Sequence, residues 1–282
     1  MSAADPTPRP PPASPAGGWD CHVHVFDAQA PVRPGHYRPQ HRTLAEIEAQ
    51  AGAHGIGHLV LVQPSVYGTD NSVMLAALEA EPGRHRGVAV IDPEASDALL
   101  DRLHAAGVRG VRLNLVSPAG HAGDVASELA RLAPRLRERG WHLQWYVRAD
   151  DLPRLVGWQA ACGLPFVLDH LAGLQAQLPA SHPAWEAARS LAAQGAWVKL
   201  SGWYRLGATA PYDALHAHLQ RVATMFGPRC VWGSDWPHTS FPADRLPTYR
   251  SNLAPIHDVL GDALSDAILR RHPLHLYDPG PP

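Results

Sequence analysis

Three short segments of this 282-residue chain place acid and imidazole groups at the ends of apolar runs: Asp20-Cys21-His22-Val23-His24, Leu168-Asp169-His170 and Gly233-Ser234-Asp235. Aspartate and histidine together move protons, bind metal ions and stabilise oxyanions, so gathered in one place they suit hydrolysis at a polarised carbonyl, with or without a metal. Far apart in sequence, they meet only if the fold brings them together. Should each run be a strand of a parallel barrel, all three end at one mouth, the end where such barrels carry their chemistry.

Spacing sharpens the reading. In a strand, His22 and His24 put both rings on one face, about 6.5–7 Å apart along the chain. A second His-x-His pair, His216-Ala217-His218, falls in a helical stretch, where residues two apart diverge, and is read as structural. The parity of His170 points it inward, whereas Asp169 has an alternative place as a helix cap or the partner of an arginine. A carboxylate at Asp235, after the last strand of a closed barrel, lies beside the first strand and hence beside His22 and His24. Arg112 and Arg205 stand near strand ends; a guanidinium there either serves the structure or grips a substrate carboxylate through two hydrogen bonds.

The elements needed to position these groups are present. Apolar runs of strand length recur at 19–26, 58–63, 86–91, 110–115, 142–147, 166–170, 197–201 and 230–232. Between them, helical spacing is seen at 43–54, 71–80, 96–106, 124–139, 152–162, 183–194 and 211–226, and five of these stretches end at Gly107, Gly140, Gly163, Gly195 and Gly227. Strand and helix in alternation imply parallel strands with right-handed crossovers, and eight units imply a closed α/β (β/α)8 TIM barrel. An open nucleotide-binding sheet is disfavoured, because Phe26-Asp27-Ala28-Gln29 after the first strand lacks glycine. Polar residues at the C-terminal strand ends, namely His24, Gln63, Asp92, Asn114, His170, Ser201 and Asp235, fit the barrel independently.

Composition narrows the partners. A net charge of −2 without any Lys/Arg block argues against nucleic acid and membrane surfaces, and a few placed arginines leave room for small anionic ligands. Cys21, Cys162 and Cys230 have no paired spacing and read as buried free thiols of a cytoplasmic protein. No run approaches the roughly 20 apolar residues of a membrane span. Residues 1–18, rich in proline, read as a disordered leader, and 19–282 as one catalytic domain.

At these residues the chain resembles the amidohydrolase superfamily, in the branch of the 2-pyrone-4,6-dicarboxylate lactonases. The likeness spans about 19–278 and rests on Asp20-Cys21-His22-Val23-His24-Val25-Phe26-Asp27, Gly110-Val111-Arg112-Leu113-Asn114, Leu168-Asp169-His170 and Gly233-Ser234-Asp235-Trp236-Pro237-His238. Its most specific stretch is Val62-Gln63-Pro64-Ser65-Val66-Tyr67-Gly68-Thr69-Asp70-Asn71. The resemblance implies that Asp235 activates water while His22, His24 and His170 polarise the carbonyl of a carboxylated lactone. It implies carboxylate binding by Arg112, Arg205 and Tyr146, with Ser65 and Tyr37 as further candidates.

The branch works without a metal, so no cofactor is expected. The alternative is one zinc on His22, His24, His170 and Asp235, an acceptable ligand set. A two-metal site is not expected, since Asn114 and Tyr146 end the strands that would supply the extra ligands. Pro118 stands six residues beyond Arg112, where the branch has a second arginine, which points to a lactone acid with a different substituent. Other readings are a zinc-dependent decarboxylase, a lactone isomerase, or an anion-binding protein without turnover.

Overall fold

A computed structural model of the chain describes residues 17–33, 38–117, 121 and 123–278. Most of the Pro-rich leader, together with Tyr37 and Pro118, lies outside the described residues. Eight strands form one parallel sheet in sequence order: β1 (Gly18–Val23), β2 (Ile56–Val62), β3 (Arg86–Ala89), β4 (Val108–Asn114), β5 (His142–Tyr146), β6 (Phe166–Leu168), β7 (Trp197–Leu200) and β8 (Cys230–Trp232). The sheet closes just past β8, where Asp235 N donates to His22 O at 2.9 Å and His24 N donates to Trp236 O at 2.9 Å. The chain is therefore the expected (β/α)8 barrel. Several strand ends differ from the sequence reading, those of β1 most tellingly. Gly18, assigned to the leader, opens β1, and Phe26 lies beyond that strand, in an antiparallel bridge with Arg42.

All seven expected helices are present: α1 (Leu44–Gly52), α2 (Ser72–Ala80), α3 (Asp97–Ala105), α4 (Val125–Glu138), α5 (Leu152–Cys162), α6 (Ala184–Ala193) and α7 (His216–Phe226). Their local chemistry is legible. Thr43 and Glu46 form a reciprocal capping box at α1, a device that contributes about 1 kcal/mol. Gly163 ends α5 in the left-handed region, at φ 62°. Helix α7 begins five residues later than expected. Two further helices, α8 (Tyr249–Asp266) and α9 (His272–Tyr277), escaped the sequence reading, because Pro255 and Gly261, at φ 73°, interrupt the pattern of α8. The three cysteines are free and buried, and no helix among the described residues is long and apolar enough to cross a membrane.

The barrel interior has two tiers. The lower one is apolar: Val60, Val88, Val167 and Val231 pack with Trp19 and Cys21 over Leu276 and Tyr277 of α9, which close the floor. Arg86 fastens that floor, donating to Tyr277 O at 3.2 Å and to Asp278 Oδ1 at 2.7 Å. The upper tier is polar and holds Arg112, Gln144, Asp169 and Lys199. Between Asp20 and Val23 the β1–β2 register slips. That irregularity resets the alternation, so Cys21 and His22 both face inward and Val23 turns out to the helix layer.

His142, at the start of β5, sits in this interior with neither ring nitrogen hydrogen-bonded, its ring lying across Gly110 and edge-on to Tyr277. Burial, aided by Lys199, pushes its pKa down to about 3. Below the ordinary value of about 6.5 the unfolded chain takes up a proton that the folded chain refuses. Stability therefore falls as pH drops from 6.5 towards 3, by about 1.4 kcal/mol per pH unit from this group. Comparing urea midpoints of wild type and His142→Phe across pH 4–7 checks this: the variant is expected to lose about one proton's worth of slope. Equal slopes would refute it.

Candidate active site

The site is built where strands end and the backbone turns sharply. Alternation along β6 gives the inward place to Asp169, after Val167, and not to His170, contrary to the parity read from sequence. His170 enters the mouth because the chain turns left-handed there, at φ 50°. Asp235 and His238 adopt the same region after β8, at φ 60° and 62°. Backbone of this kind in non-glycine residues is uncommon and gathers at functional sites.

Four expected residues converge. The Nε2 atoms of His22, His24 and His170 lie 3.7, 3.7 and 4.0 Å from one oxygen, Oδ1 of Asp235. The other oxygen, Oδ2, accepts from the Tyr204 hydroxyl at 2.7 Å and from Arg205 Nε at 2.5 Å. The far side of each ring sets which nitrogen holds the proton. His24 Nδ1 lies 2.7 Å from Val62 O, and a carbonyl only accepts, so Nδ1 carries the hydrogen and Nε2 a lone pair. His22 Nδ1 lies 3.2 Å from the Asp169 carboxylate and 3.4 Å from Lys199 Nζ; the nearer carboxylate favours the same tautomer. His170 Nδ1 lies 2.9 Å from the Ser201 hydroxyl, which donates as readily as it accepts, so His170 alone of the three is free to carry hydrogen on Nε2.

Charge states follow from the surroundings. Burial pushes His24 and His170 down to about 4 and His22 well below its ordinary range, so all three are neutral near pH 7. Burial opposes ionisation of Asp235 too, but the Arg205 guanidinium outweighs it and holds the carboxyl well below the usual range. The mouth thus offers one carboxylate and two imidazole lone pairs aimed at a common point. Such a set accepts protons from a bound water or holds a cation.

The set also fits one divalent ion. His22 Nε2 and Asp235 Oδ1 are buried without a hydrogen-bond partner, and His22, His170 and Asp235 bring ligand atoms within 4.8 Å of one another. Three imidazoles and a carboxylate suit zinc. On the strands expected to lack extra ligands, Asn114 is engaged with Ser65 and the backbone of Val116 and Ser117, and Tyr146 packs its ring against His170.

Above the cluster lies a cavity of about 300 Å³ walled by His24, Ser65, Arg112, Tyr146, Arg205 and Asp235. The five carboxylate-binding candidates fare differently there. Tyr146 stands between the two guanidinium groups, 5.3 Å from that of Arg112 and 5.9 Å from that of Arg205. Arg205 is tied to Asp235, and Arg112 donates from Nε to Asp169 Oδ2 at 3.1 Å, the arginine pairing that had been the alternative for Asp169. Ser65 accepts from Asn114 at 2.7 Å. Tyr37 is outside the described residues. Sequence reasoning missed Tyr204, Gln144 and the reach of Lys199. The inward parity of Lys199 and Ser201 on β7 was a usable signal, whereas nothing marked Tyr204 beyond its place next to Arg205.

Known proteins resemble this chain in sequence and fold. A family model described as amidohydrolase matches residues 19–278. The 2-pyrone-4,6-dicarboxylate hydrolase of Comamonas testosteroni is 32% identical over 287 residues, covering 94% of this chain and 91% of its own. The 4-sulfomuconolactone hydrolase of Rhizobium radiobacter is 31% identical, covering 83% and 81%. A crystal structure from Acinetobacter baumannii with citric acid bound superposes with a TM-score of 0.81 at 28% identity, covering 93% of this chain and 99% of that one.

Proposed function

The chain belongs to the amidohydrolase family, and from that premise we propose that it hydrolyses the ester bond of a lactone bearing a carboxylate or similar anion, with Asp235 as general base and no required metal. What supports this above all is the ionised Asp235, its Oδ1 free and facing three imidazoles, in one cavity with two arginines. Relatives named for a pyrone dicarboxylate and a sulfomuconolactone, both anionic lactones, support the substrate class.

In this mechanism the Nη groups of Arg112 and the guanidinium of Arg205 hold the substrate anion and set the ring carbonyl over the imidazoles. A water gives one proton to Asp235 Oδ1 as its oxygen bonds to the carbonyl carbon. The lone pairs on His22 and His24 orient that water through its other hydrogen. In this reading His24 is an acceptor and not a carbonyl-polarising donor, because its Nδ1 hydrogen is held by Val62 O. The oxyanion takes a hydrogen bond from His170 Nε2, a single donor of the kind whose removal costs about 10²–10³ in rate. When the intermediate collapses, the ring C–O bond breaks and the departing oxygen takes the proton back from Asp235. A hydroxy or enol acid results, and at neutral pH its new carboxyl releases one proton.

A second reading is favoured by the unpartnered acceptors on His22 and Asp235. In it His22, His24, His170 and Asp235 hold one zinc, which would polarise the carbonyl as a Lewis acid.

The test is proton release from carboxylated pyrones, muconolactones and sugar lactones, followed with a pH indicator on chelator-treated protein. Turnover that survives chelation supports the metal-free hydrolase. Activity that returns only with stoichiometric zinc would overturn that part in favour of the second reading, and inactivity in both states would overturn both.

A further inference from the structure

We propose that Asp169 is a positioning residue whose two carboxylate oxygens fix Arg112 in the cavity wall and His22 in the imidazole cluster, so that substrate grip and water orientation are set by one group. The parts given to Arg112 and His22 rest on the reading above; the geometry does not. Asp169 is fully buried at the end of β6, with its backbone N–H on Trp145 O at 2.8 Å. Its Oδ2 accepts from Arg112 Nε and from Gln144 Nε2, each at 3.1 Å. Its Oδ1 lies 3.2 Å from His22 Nδ1 and 3.6 Å from Lys199 Nζ, and Lys199 donates onward to Gln144 Oε1 at 2.6 Å.

Five strands, β1, β4, β5, β6 and β7, thus send one side chain each to this cluster. Stability alone is a weak reason for it, since well-packed apolar groups often replace buried ion pairs without loss. The valine tier directly beneath shows that this interior accepts such groups. What the network does supply is orientation. With Nε spent on Asp169, Arg112 has its two Nη groups left for an anion. The Asp169 carboxylate lies nearer to His22 Nδ1, at 3.2 Å, than the Lys199 amine does, at 3.4 Å, which sets the hydrogen on Nδ1 and the lone pair towards Asp235. Lys199, 3.4 Å from His22 Nδ1, keeps the carboxylate charged without competing for the mouth, because it is fully buried below it.

The test is read on substrate-free protein by ¹⁵N NMR of histidine and arginine side chains, with His22→Gln and Arg112→Lys used to assign the signals. In wild type His22 is expected to be protonated at Nδ1, and the Arg112 Nε–H to exchange with water at least tenfold more slowly than that of exposed arginines. In Asp169→Leu, which leaves no acceptor at this position, both signatures should be lost together, with cooperative thermal unfolding retained. On any lactone that is turned over, KM should rise and kcat fall, each about tenfold or more. Wild-type His22 protonated at Nε2, or either signature persisting in folded Asp169→Leu, would overturn the proposal. The wild-type tautomer decides it even if the variant fails to fold. None of the spectra depends on turnover, so an inactive lactone panel would sink the functional reading and leave this inference standing.

Discussion

Replacing Asp235 by asparagine is expected to lower kcat by about 10³–10⁴ while changing KM only a few-fold, at the upper end of what general-base catalysis contributes. The amide is nearly isosteric and still accepts from Tyr204 and Arg205 through one oxygen, so the mouth keeps its shape. What is lost is the basic Oδ1 that faces the three imidazoles. Initial rates and thermal unfolding together check this. A variant that turns over within tenfold of wild type would remove Asp235 from the chemistry, and one that loses activity only with its cooperative transition would report a structural role.

Arg205→Gln carries the second large effect. Arg205 both lines the anion cavity and supplies the cation beside Asp235, and removing one partner of a buried charged pair costs about 2–5 kcal/mol. A loss of roughly 10²–10³ in kcat/KM follows. Its pH dependence has a definite sign. The base works ionised and the imidazoles neutral, so in wild type the acid limb lies at about pH 4, where His24 takes up a proton, while Arg205 holds the carboxyl well below its ordinary range. Without the guanidinium the largest influence opposing burial is lost and the carboxyl pKa rises. The acid limb of the pH–rate profile is therefore expected at higher pH in Arg205→Gln, and Arg205→Lys, which retains a charge but not the planar fork, should fall between the two. An unmoved acid limb would show that Arg205 does not govern the base.

The barrel was legible because its signals are local: strand-length runs alternate with helical spacing, and glycines punctuate the ends. Helix α8 was not, since Pro255 and Gly261 break the period that would announce it, and the 6 residues of α9 are too few to set one. At the mouth, residue types and strand-end positions named His22, His24, His170 and Asp235. The partners of those groups were hidden, for pairing across a barrel depends on register and on backbone irregularities that a periodic pattern does not encode. The slip in β1 that turns His22 inward, and the left-handed turn that admits His170 behind Asp169, are both of this kind. Arg112 and Arg205 were recognised as cations near a mouth, yet their bonds to Asp169 and Asp235 could be assigned only in three dimensions.

The floor made by Leu276 and Tyr277 bears on how the chain is synthesised. Trp19, near the start of β1, stacks on Tyr277, and Arg86 waits for Asp278, so these contacts join residues made early to residues made nearly last. At ribosomal rates of about 5–20 residues per second, roughly ten to fifty seconds separate the emergence of Trp19 from that of its partner. During that interval the valine tier has no lid on its lower side and β1 has no neighbour on one edge. The nascent barrel is then an open sheet with an apolar face, the state in which a holding chaperone would find most to bind.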